Sequence, residues 1–366
     1  MSSRVTGRLR RWVCVGVLLG VVLDVAACGS GNSSGATTST PAAGGAAATT
    51  PVQIDPGYDG PDKDHFTKIA TPAKKAGVSF KVGFLEPNGS EPTHTTWING
   101  ARQQVEALGG ELIVKDSQIN GAKQASQLNE LLAQNVDAII VSPIVPEALK
   151  PGLDQAKAKG IPVVGLLSSF DLSKPLAAGY DISIGPGWDY AAYSTAKALA
   201  AQAPGARFST VGVGVPTQVL IYEVAREQYW ATKFGLKFDG SVEAKALDPA
   251  TVNAATSTIL SQYPETKVIM TFNDTSALAA SAAAAQKGKT DIKVGDAAGG
   301  NTVIKPAIES GKIAAVYADP WAQEGQQTAA AAYALVTKQG LPLPAVINVP
   351  SVVLTKANVG SYDFGR

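Results

Sequence analysis

The fold is decided by residues 116–167, which read DSQINGAKQASQLNELLAQNVDAIIVSPIVPEALKPGLDQAKAKGIPVVGLL. Asn120 is a typical helix N-cap, and apolar residues then recur every three or four positions, as on one face of a helix. The run 138–141 is apolar at every position, which is typical of a parallel strand covered on both sides. A second helix ends at Gly160 and leads to another apolar strand. Helix, strand, helix and strand within about fifty residues predict a parallel α/β sheet.

The same alternation continues on both sides of this unit. Strands and helices are predicted from residue 79 onward, ending with a strand at 177–184, and a second series of similar size runs from residue 188 to residue 338. An extended tail follows at 345–354. Two α/β series of similar size predict two doubly wound parallel-sheet lobes, so the fold class is α/β.

Composition excludes several classes of function. The chain has 366 residues, of which 45% are apolar and 17% charged, and its formal net charge of +1 gives no electrostatic reason to expect nucleic acid as a partner. Its two histidines, His65 and His94, are too few for a typical histidine-rich metal centre. Without a convincing catalytic set, we predict a monomeric protein with no metal, no cofactor and no enzymatic activity.

The N-terminal residues indicate export. Residues 1–27 combine arginines with an apolar run too short to span a bilayer, as in a signal peptide. Val-Ala-Ala-Cys, ending at Cys28, resembles the lipobox of bacterial lipoproteins, so Cys28 is the predicted lipidation site. The alternative is an ordinary secretory signal with an incidental cysteine. Residues 28–53 are predicted to be a flexible linker and residues 54–78 a lead-in, with the protein lipid-anchored on the extracytoplasmic face of a bacterial cell membrane.

Six landmarks then recur in order along the chain. They are INGA (98–101), DSQINGAKQ (116–124), AIIVSP (138–143), AKAKGIPVV (156–164), TFNDTSALAA (271–280) and ESGKIAAVYADP (309–320). Together they resemble the type I periplasmic sugar-binding proteins, the ribose/galactose/xylose-binding group that serves ABC importers. The resemblance covers about residues 79–355.

This resemblance implies a ligand held between two lobes that are joined by a three-strand hinge. The implied first lobe comprises 79–183 and 319–344, and the second comprises 184–318 and 345–360. The chain would cross between the lobes near 183–186, 317–320 and 342–346. The implied partners are a sugar or polyol and the permease subunits of an ABC importer.

Carried over position by position, the resemblance implies a partly altered set of ligand contacts. The set is Glu91, Thr93, His94, Ser142, Leu167, Ser168, Arg226, Asn273, Asp296 and Asp319. Leu167 and Ser168 stand where the family commonly has an Asp-Arg pair that grips sugar hydroxyls. Their presence disfavours an ordinary aldopentose or aldohexose and favours a polyol or a modified or deoxy sugar. Candidate stacking residues are Trp188, Tyr222 and Trp321.

Several alternatives stay open at this point. Arg226 could instead pair with Glu223, three residues earlier on the same helix face, and Trp321 could serve packing alone. If Glu91 and Asp319 face one pocket, they would favour an amine-bearing ligand. The whole protein could also be a ligand-sensing lobe for a membrane receptor, or an exported enzyme on a similar fold.

Overall fold

The computed structural model describes residues 49–89, 91–215 and 217–364. The predicted signal peptide, Cys28 and most of the predicted linker lie outside these ranges. Within them, no helix combines the length and the apolar character needed to cross a bilayer.

The described residues alternate between strands and helices almost throughout. The strands, in chain order, are β1 (Thr49–Pro51), β2 (Thr67–Ile69), β3 (Lys81–Glu86), β4 (Glu111–Asp116), β5 (Ala138–Val141), β6 (Val163–Leu166), β7 (Ile182–Gly185), β8 (Arg207–Val213), β9 (Lys237–Ala244), β10 (Thr266–Thr271), β11 (Lys293–Gly299), β12 (Ala315–Ala318), β13 (Val346–Asn348) and β14 (Val353–Leu354). The α-helices are α1 (Pro92–Ala107), α2 (Gly121–Ala133), α3 (Pro146–Ala158), α4 (Trp188–Gln202), α5 (Gln218–Lys233), α6 (Pro249–Gln262), α7 (Asp274–Gln286), α8 (Lys305–Glu309) and α9 (Trp321–Thr337).

Two six-stranded sheets form the centres of two lobes, which confirms the predicted fold class. The first sheet has the order β4-β3-β5-β6-β7-β13, and its strands are parallel. The second has the order β9-β8-β10-β11-β12-β14, and its strands are parallel except that β14 runs antiparallel to β12. In both sheets the strand order reverses beside the strand that comes first along the chain, which is β3 in the first sheet and β8 in the second. The next strand of the chain lies on one side of it, and the strand after that lies on the other. Ligands of such sheets bind beyond the carboxyl ends of the strands at that point.

One predicted lobe boundary is wrong. We predicted that residues from 345 onward belong to the second lobe, but β13 pairs with β7 of the first sheet. The third crossing therefore follows Asn348 instead of falling at 342–346. A short extended segment can pair with the edge of either sheet, and its local sequence does not say which edge it joins.

Helices cover both faces of each sheet, and one helix pair is unusually close. In the first lobe α1 and α9 cross where Gly100 and Gly325 meet: a Cβ on Gly100 would lie 2.1 Å from the Ala322 carbonyl oxygen, and one on Gly325 would lie 2.2 Å from that of Trp97. Because both obstacles are backbone atoms, only glycine permits this approach. The crossing fixes the position of the first turn of α9, which follows directly from the hinge.

Residues 49–69, here called the N-terminal segment, are ordered and contact both lobes. β1 pairs antiparallel with β2, so the predicted flexible linker (28–53) ends in a strand, which corrects that prediction. On the first lobe, the Ile69 amide donates to Gln327 Oε1 of α9 at 2.7 Å. On the second, the rings of Tyr58 and Phe66 each lie 5.1 Å from the Tyr190 ring of α4. The predicted lead-in is therefore a bridge across the hinge.

Candidate functional site

The lobes meet where the carboxyl ends of their strands face each other. The Phe170 ring, in the loop after β6, lies 5.6 Å from the Tyr222 ring on α5 of the second lobe. Burial raises the pKa of Asp274 at the start of α7, and hydrogen bonds from backbone amides lower it in part. The Glu91 carboxylate of the first lobe raises this pKa as well. These interactions place the two groups of strand ends, and the residues that follow them, around one interlobe cleft.

The most unusual feature of this cleft is a set of buried carboxyl groups, here called the carboxylate cluster. Every member is at most 6% exposed. The cluster draws on both lobes and the hinge, because its members come from α5, α7, β11, the segment after β12 and α9. They are Glu223, Glu227, Asp274, Asp296, Asp319 and Glu324.

Burial dominates the electrostatics of this cluster. It raises the pKa of Asp319 well above its usual range, and the carboxylates of Glu324, Glu223, Asp296 and Asp274 raise that pKa further. Removing a carboxylate from water disfavours its charged form, and a like charge nearby adds to this effect. The pKa of Asp274 rises to about 7 and that of Glu324 to about 8, again mainly through burial.

The α5 members show the same behaviour. The pKa of Glu223 is raised by burial and by the carboxylates of Glu227 and Asp296, and that of Glu227 by burial and by Asp296. Within the described part of the chain, the ion pairs include none that joins a lysine or arginine to a member of the cluster. The cluster is therefore rich in acceptors that none of these ion pairs neutralises.

On the first lobe, a histidine and two tryptophans stand beside these carboxyls. His94 Nδ1 lies 2.5 Å from Glu86 Oε1 at the end of β3, and the imidazole stacks on Trp97 at 4.6 Å between ring centroids. Trp97 Nε1 donates to Glu324 Oε2 at 2.7 Å, and the Trp321 ring meets the Trp97 ring edge-on at 4.9 Å. Trp321 therefore packs against the Trp97 ring, next to Glu324.

The other predicted contacts of the first lobe lie at strand ends. Ser142 follows β5 and is buried, while Leu167 follows β6 with a left-handed backbone (φ 56°) and packs on the lobe's core. Ser168 donates to the Ser183 hydroxyl at 2.8 Å. Thr93 lies in the first turn of α1, and the exposed Glu91 precedes that helix.

Arg226 is held by a partner that the sequence did not suggest. Its guanidinium forms an ion pair with Asp189 on α4, in place of the alternative pair with Glu223. Asp189 is 1% exposed and also accepts hydrogen bonds from Tyr58 of the N-terminal segment and from Trp230. The positive charge of Arg226 is thus already balanced by a buried carboxylate.

The remaining predicted residues of the second lobe are partly used by the fold. Asn273 caps α7, since its Oδ1 accepts from the Ser276 amide at 2.8 Å. Asp296 Oδ1 accepts from the Ala298 amide at 3.2 Å, whereas its Oδ2 has no partner among the described residues. Trp188, the first residue of α4, is 4% exposed and its Nε1 likewise lacks a partner there.

Sequence reasoning did not propose four buried acids of this region as site residues, namely Glu86, Glu223, Glu227 and Glu324. One pattern could have indicated Glu227: Val224, Glu227 and Ala231 share the spacing of a single helix face, and all three are buried. An acid at a core-facing position is rarely buried without a functional reason or a partner.

Two further observations restrict the kind of site. In the described ranges, no three His, Cys, Asp or Glu side chains are grouped so that they could hold a metal ion. Cavities between α1 and α9, and beside α7 and α8, lie on single lobes and include none of the predicted ligand contacts.

Comparison with known proteins agrees with this architecture. The chain is 24% identical over 245 residues to the ribose import binding protein of Bacillus subtilis, which covers 65% of this chain and 76% of the relative. An ABC transporter solute-binding protein of Actinobacillus succinogenes with bound D-allose has a TM-score of 0.67 at 22% identity, covering 77% of this chain and 99% of that one. A second, from Bacillus halodurans with bound myo-inositol, has a TM-score of 0.68 at 18% identity, covering 78% and 98%.

The family relationship itself follows from a match to the periplasmic binding protein domain over residues 82–340. That range includes most of both sheets and two of the three chain crossings. Members of this family bind solutes and are not enzymes, so the chain is a binding protein. It belongs to the periplasmic binding protein domain family.

Proposed function

We propose that this protein captures a small polyhydroxylated solute between its two lobes and delivers it to an ABC importer. The observation that carries the proposal is the interlobe cleft, where polar side chains from both lobes and the hinge gather at the carboxyl ends of the strands. The relative named for ribose import and the similar structures that hold D-allose and myo-inositol support this class of ligand.

The proposed contacts are those that the family resemblance implies. They are Glu91, Thr93, His94, Ser142, Leu167, Ser168, Arg226, Asn273, Asp296 and Asp319. We propose a polyol or a modified or deoxy sugar, because a hydroxyl buried against Leu167 would lose its hydrogen bonds at a cost of about 1–3 kcal/mol. A cost of that size lowers affinity by about ten- to a hundredfold.

A thermal-shift screen tests the ligand class. Glycerol, xylitol, myo-inositol and deoxy sugars are compared with ribose and glucose, since a ligand at about a hundred times its Kd adds about 2.7 kcal/mol of stability. We expect a polyol or a deoxy sugar to give the largest shift, and Asp296→Ala to reduce it while the exposed Glu130→Gln does not. A common aldose as the best ligand would contradict the polyol assignment, and a screen without any binder would contradict the function.

We further propose that Cys28 carries a lipid anchor. Stable anchoring needs more than one acyl chain, and a lipoprotein N-terminus supplies several. Cys28→Ala should therefore move the protein from the membrane fraction to the soluble exported fraction. Unchanged membrane association would contradict the lipoprotein assignment.

A further inference from the structure

The carboxylate cluster holds more acceptor atoms than the surrounding residues can satisfy. Both carboxyl oxygens of Glu227 and of Asp319 have no hydrogen-bond partner among the described residues, and neither do Asp296 Oδ2 and Glu324 Oε1. Glu227 is 0% and Asp319 1% exposed. Unpaired buried acceptors are costly, so these side chains require donors from a molecule that enters the cleft.

A partner that carries positive charge would neutralise these carboxylates as well as donate to them. Buried carboxylates that raise one another's pKa cannot all ionise unless a proton or a cation compensates them. Arg226 does not fill this role, because it is paired with Asp189. A neutral hydroxyl brings one donor and no charge, whereas an ammonium group brings three donors and a full positive charge.

The aromatic residues beside the cluster suit the same chemistry. Trp97 and Trp321 adjoin Glu324, with their rings 4.9 Å apart and the Trp97 indole bonded to the Glu324 carboxylate. Aromatic faces next to carboxylates attract organic cations through the ring quadrupole. A metal ion is a poorer fit, because the described side chains include no group of three with the arrangement of a metal site.

We infer that the solute bound in the cleft is a polyhydroxylated amine, whose ammonium group is held by Asp319, Glu324 and the neighbouring carboxylates. This inference rests on the proposed function, to which it adds a positive charge on the ligand. The hydroxyls bond to the remaining polar residues of the cleft, and the ammonium group lies among the carboxylates.

A panel of matched pairs tests this inference in thermal-shift and calorimetric assays. Each pair differs by one amine in place of one hydroxyl: glucosamine and glucose, galactosamine and galactose, glucamine and glucitol, serinol and glycerol. Putrescine is added as an amine without hydroxyls. In at least one pair we expect the amine to bind about tenfold or more tightly than its hydroxyl counterpart.

Two isosteric variants connect the preference to the cluster. Glu324→Gln and Asp319→Asn remove one negative charge each without changing the volume of the side chain. Each should weaken binding of the amine by about tenfold and change binding of the hydroxyl counterpart much less. Glu130→Gln, a carboxylate on the surface of α2, serves as the matched control and should leave both affinities unchanged. A circular dichroism spectrum of each variant confirms that it is folded.

The outcomes separate this inference from the proposed function. If no amine gives a larger shift than its hydroxyl counterpart in any pair, the inference is overturned, while binding of the hydroxyl compounds would leave the proposed function in place. If putrescine binds and no polyhydroxylated compound does, both are overturned. An amine preference that survives in Glu324→Gln and Asp319→Asn would also overturn the assignment to these carboxylates.

Discussion

At the scale of single residues, the buried acids give the protein a distinctive dependence on pH. The folded-state pKa is raised to about 7 for Asp274 and Asp62 and to about 8 for Glu324, mainly by burial. In the unfolded chain such groups titrate near about pH 4. Between about pH 4 and pH 8 the folded protein therefore binds more protons than the unfolded protein, and its stability falls as pH rises.

We accordingly expect the ligand-free protein to have a higher Tm at about pH 5.5 than at about pH 8. Asp319→Asn should raise the Tm at the higher pH by about 2 °C or more, because it removes a carboxyl that is costly to ionise, and should raise it less at the lower pH. Differential scanning calorimetry at both pH values measures this. A wild-type Tm that increases toward pH 8 would contradict the buried-acid assignment.

The sequence predicted part of this site and missed the rest for a physical reason. The family resemblance pointed to Asn273 and Asp319, which follow strands, and to Asp296, which lies within β11. Glu223, Glu227 and Glu324 lie within helices, where an acid usually faces solvent. Their burial depends on how the second lobe and α9 pack around the hinge, which no local pattern specifies.

At the scale of secondary-structure elements, the sequence predicted the alternation of strands and helices in both lobes. The N-cap Asn120 is confirmed, since its side chain accepts from the Lys123 amide at 3.0 Å. The strand predicted at 177–184 is shorter, because only Ile182–Gly185 forms β7 and the preceding residues form turns. β13 pairs with β7, and the N-terminal segment packs on both lobes, through contacts between residues far apart in the chain. Local periodicity therefore could not predict either feature.

The crossing of α1 and α9 should not tolerate side chains. Gly325→Ala places a methyl group 2.2 Å from the Trp97 carbonyl oxygen, and overpacking of this kind costs about 1–3 kcal/mol despite the better helix propensity of alanine. We expect a lower Tm in thermal unfolding. Gly360→Ala is the control, because no atom lies within 4 Å of its added Cβ. Equal effects of the two substitutions would contradict the close crossing.

The N-terminal segment should contribute to stability through Tyr58. Its hydroxyl donates to Asp189 at 2.8 Å and also contacts the Asp62 carboxylate. Tyr58→Phe leaves these buried acids short of a donor, which should destabilise the protein by about 1–3 kcal/mol in urea unfolding. Tyr229→Phe removes a hydroxyl from a ring that is 41% exposed and should have little effect. A Tyr58→Phe midpoint equal to that of the control would show that the segment is not docked.

At the scale of the whole molecule, two sheets of the same strand order are joined by three chain crossings and bridged by the N-terminal segment. The cleft contacts come from both lobes, whereas each hydrophobic core lies within one lobe or extends only to the N-terminal segment. The lobes can therefore move relative to each other without disrupting their cores. A ligand that contacts both lobes favours the arrangement in which they are closest.

We expect ligand binding to make the protein more compact in solution. The panel compound with the largest thermal shift should decrease the radius of gyration measured by small-angle X-ray scattering, because the carboxylates of α5 and β11 and the side chains after β3 can reach one solute together only when the lobes close. A panel compound without a thermal shift serves as the control and should leave the radius unchanged. The N-terminal segment contacts both lobes, so it limits how far they can open, and Tyr58→Phe should enlarge the ligand-free radius. An unchanged radius at saturating ligand would mean that the cleft is rigid and that capture does not depend on closure.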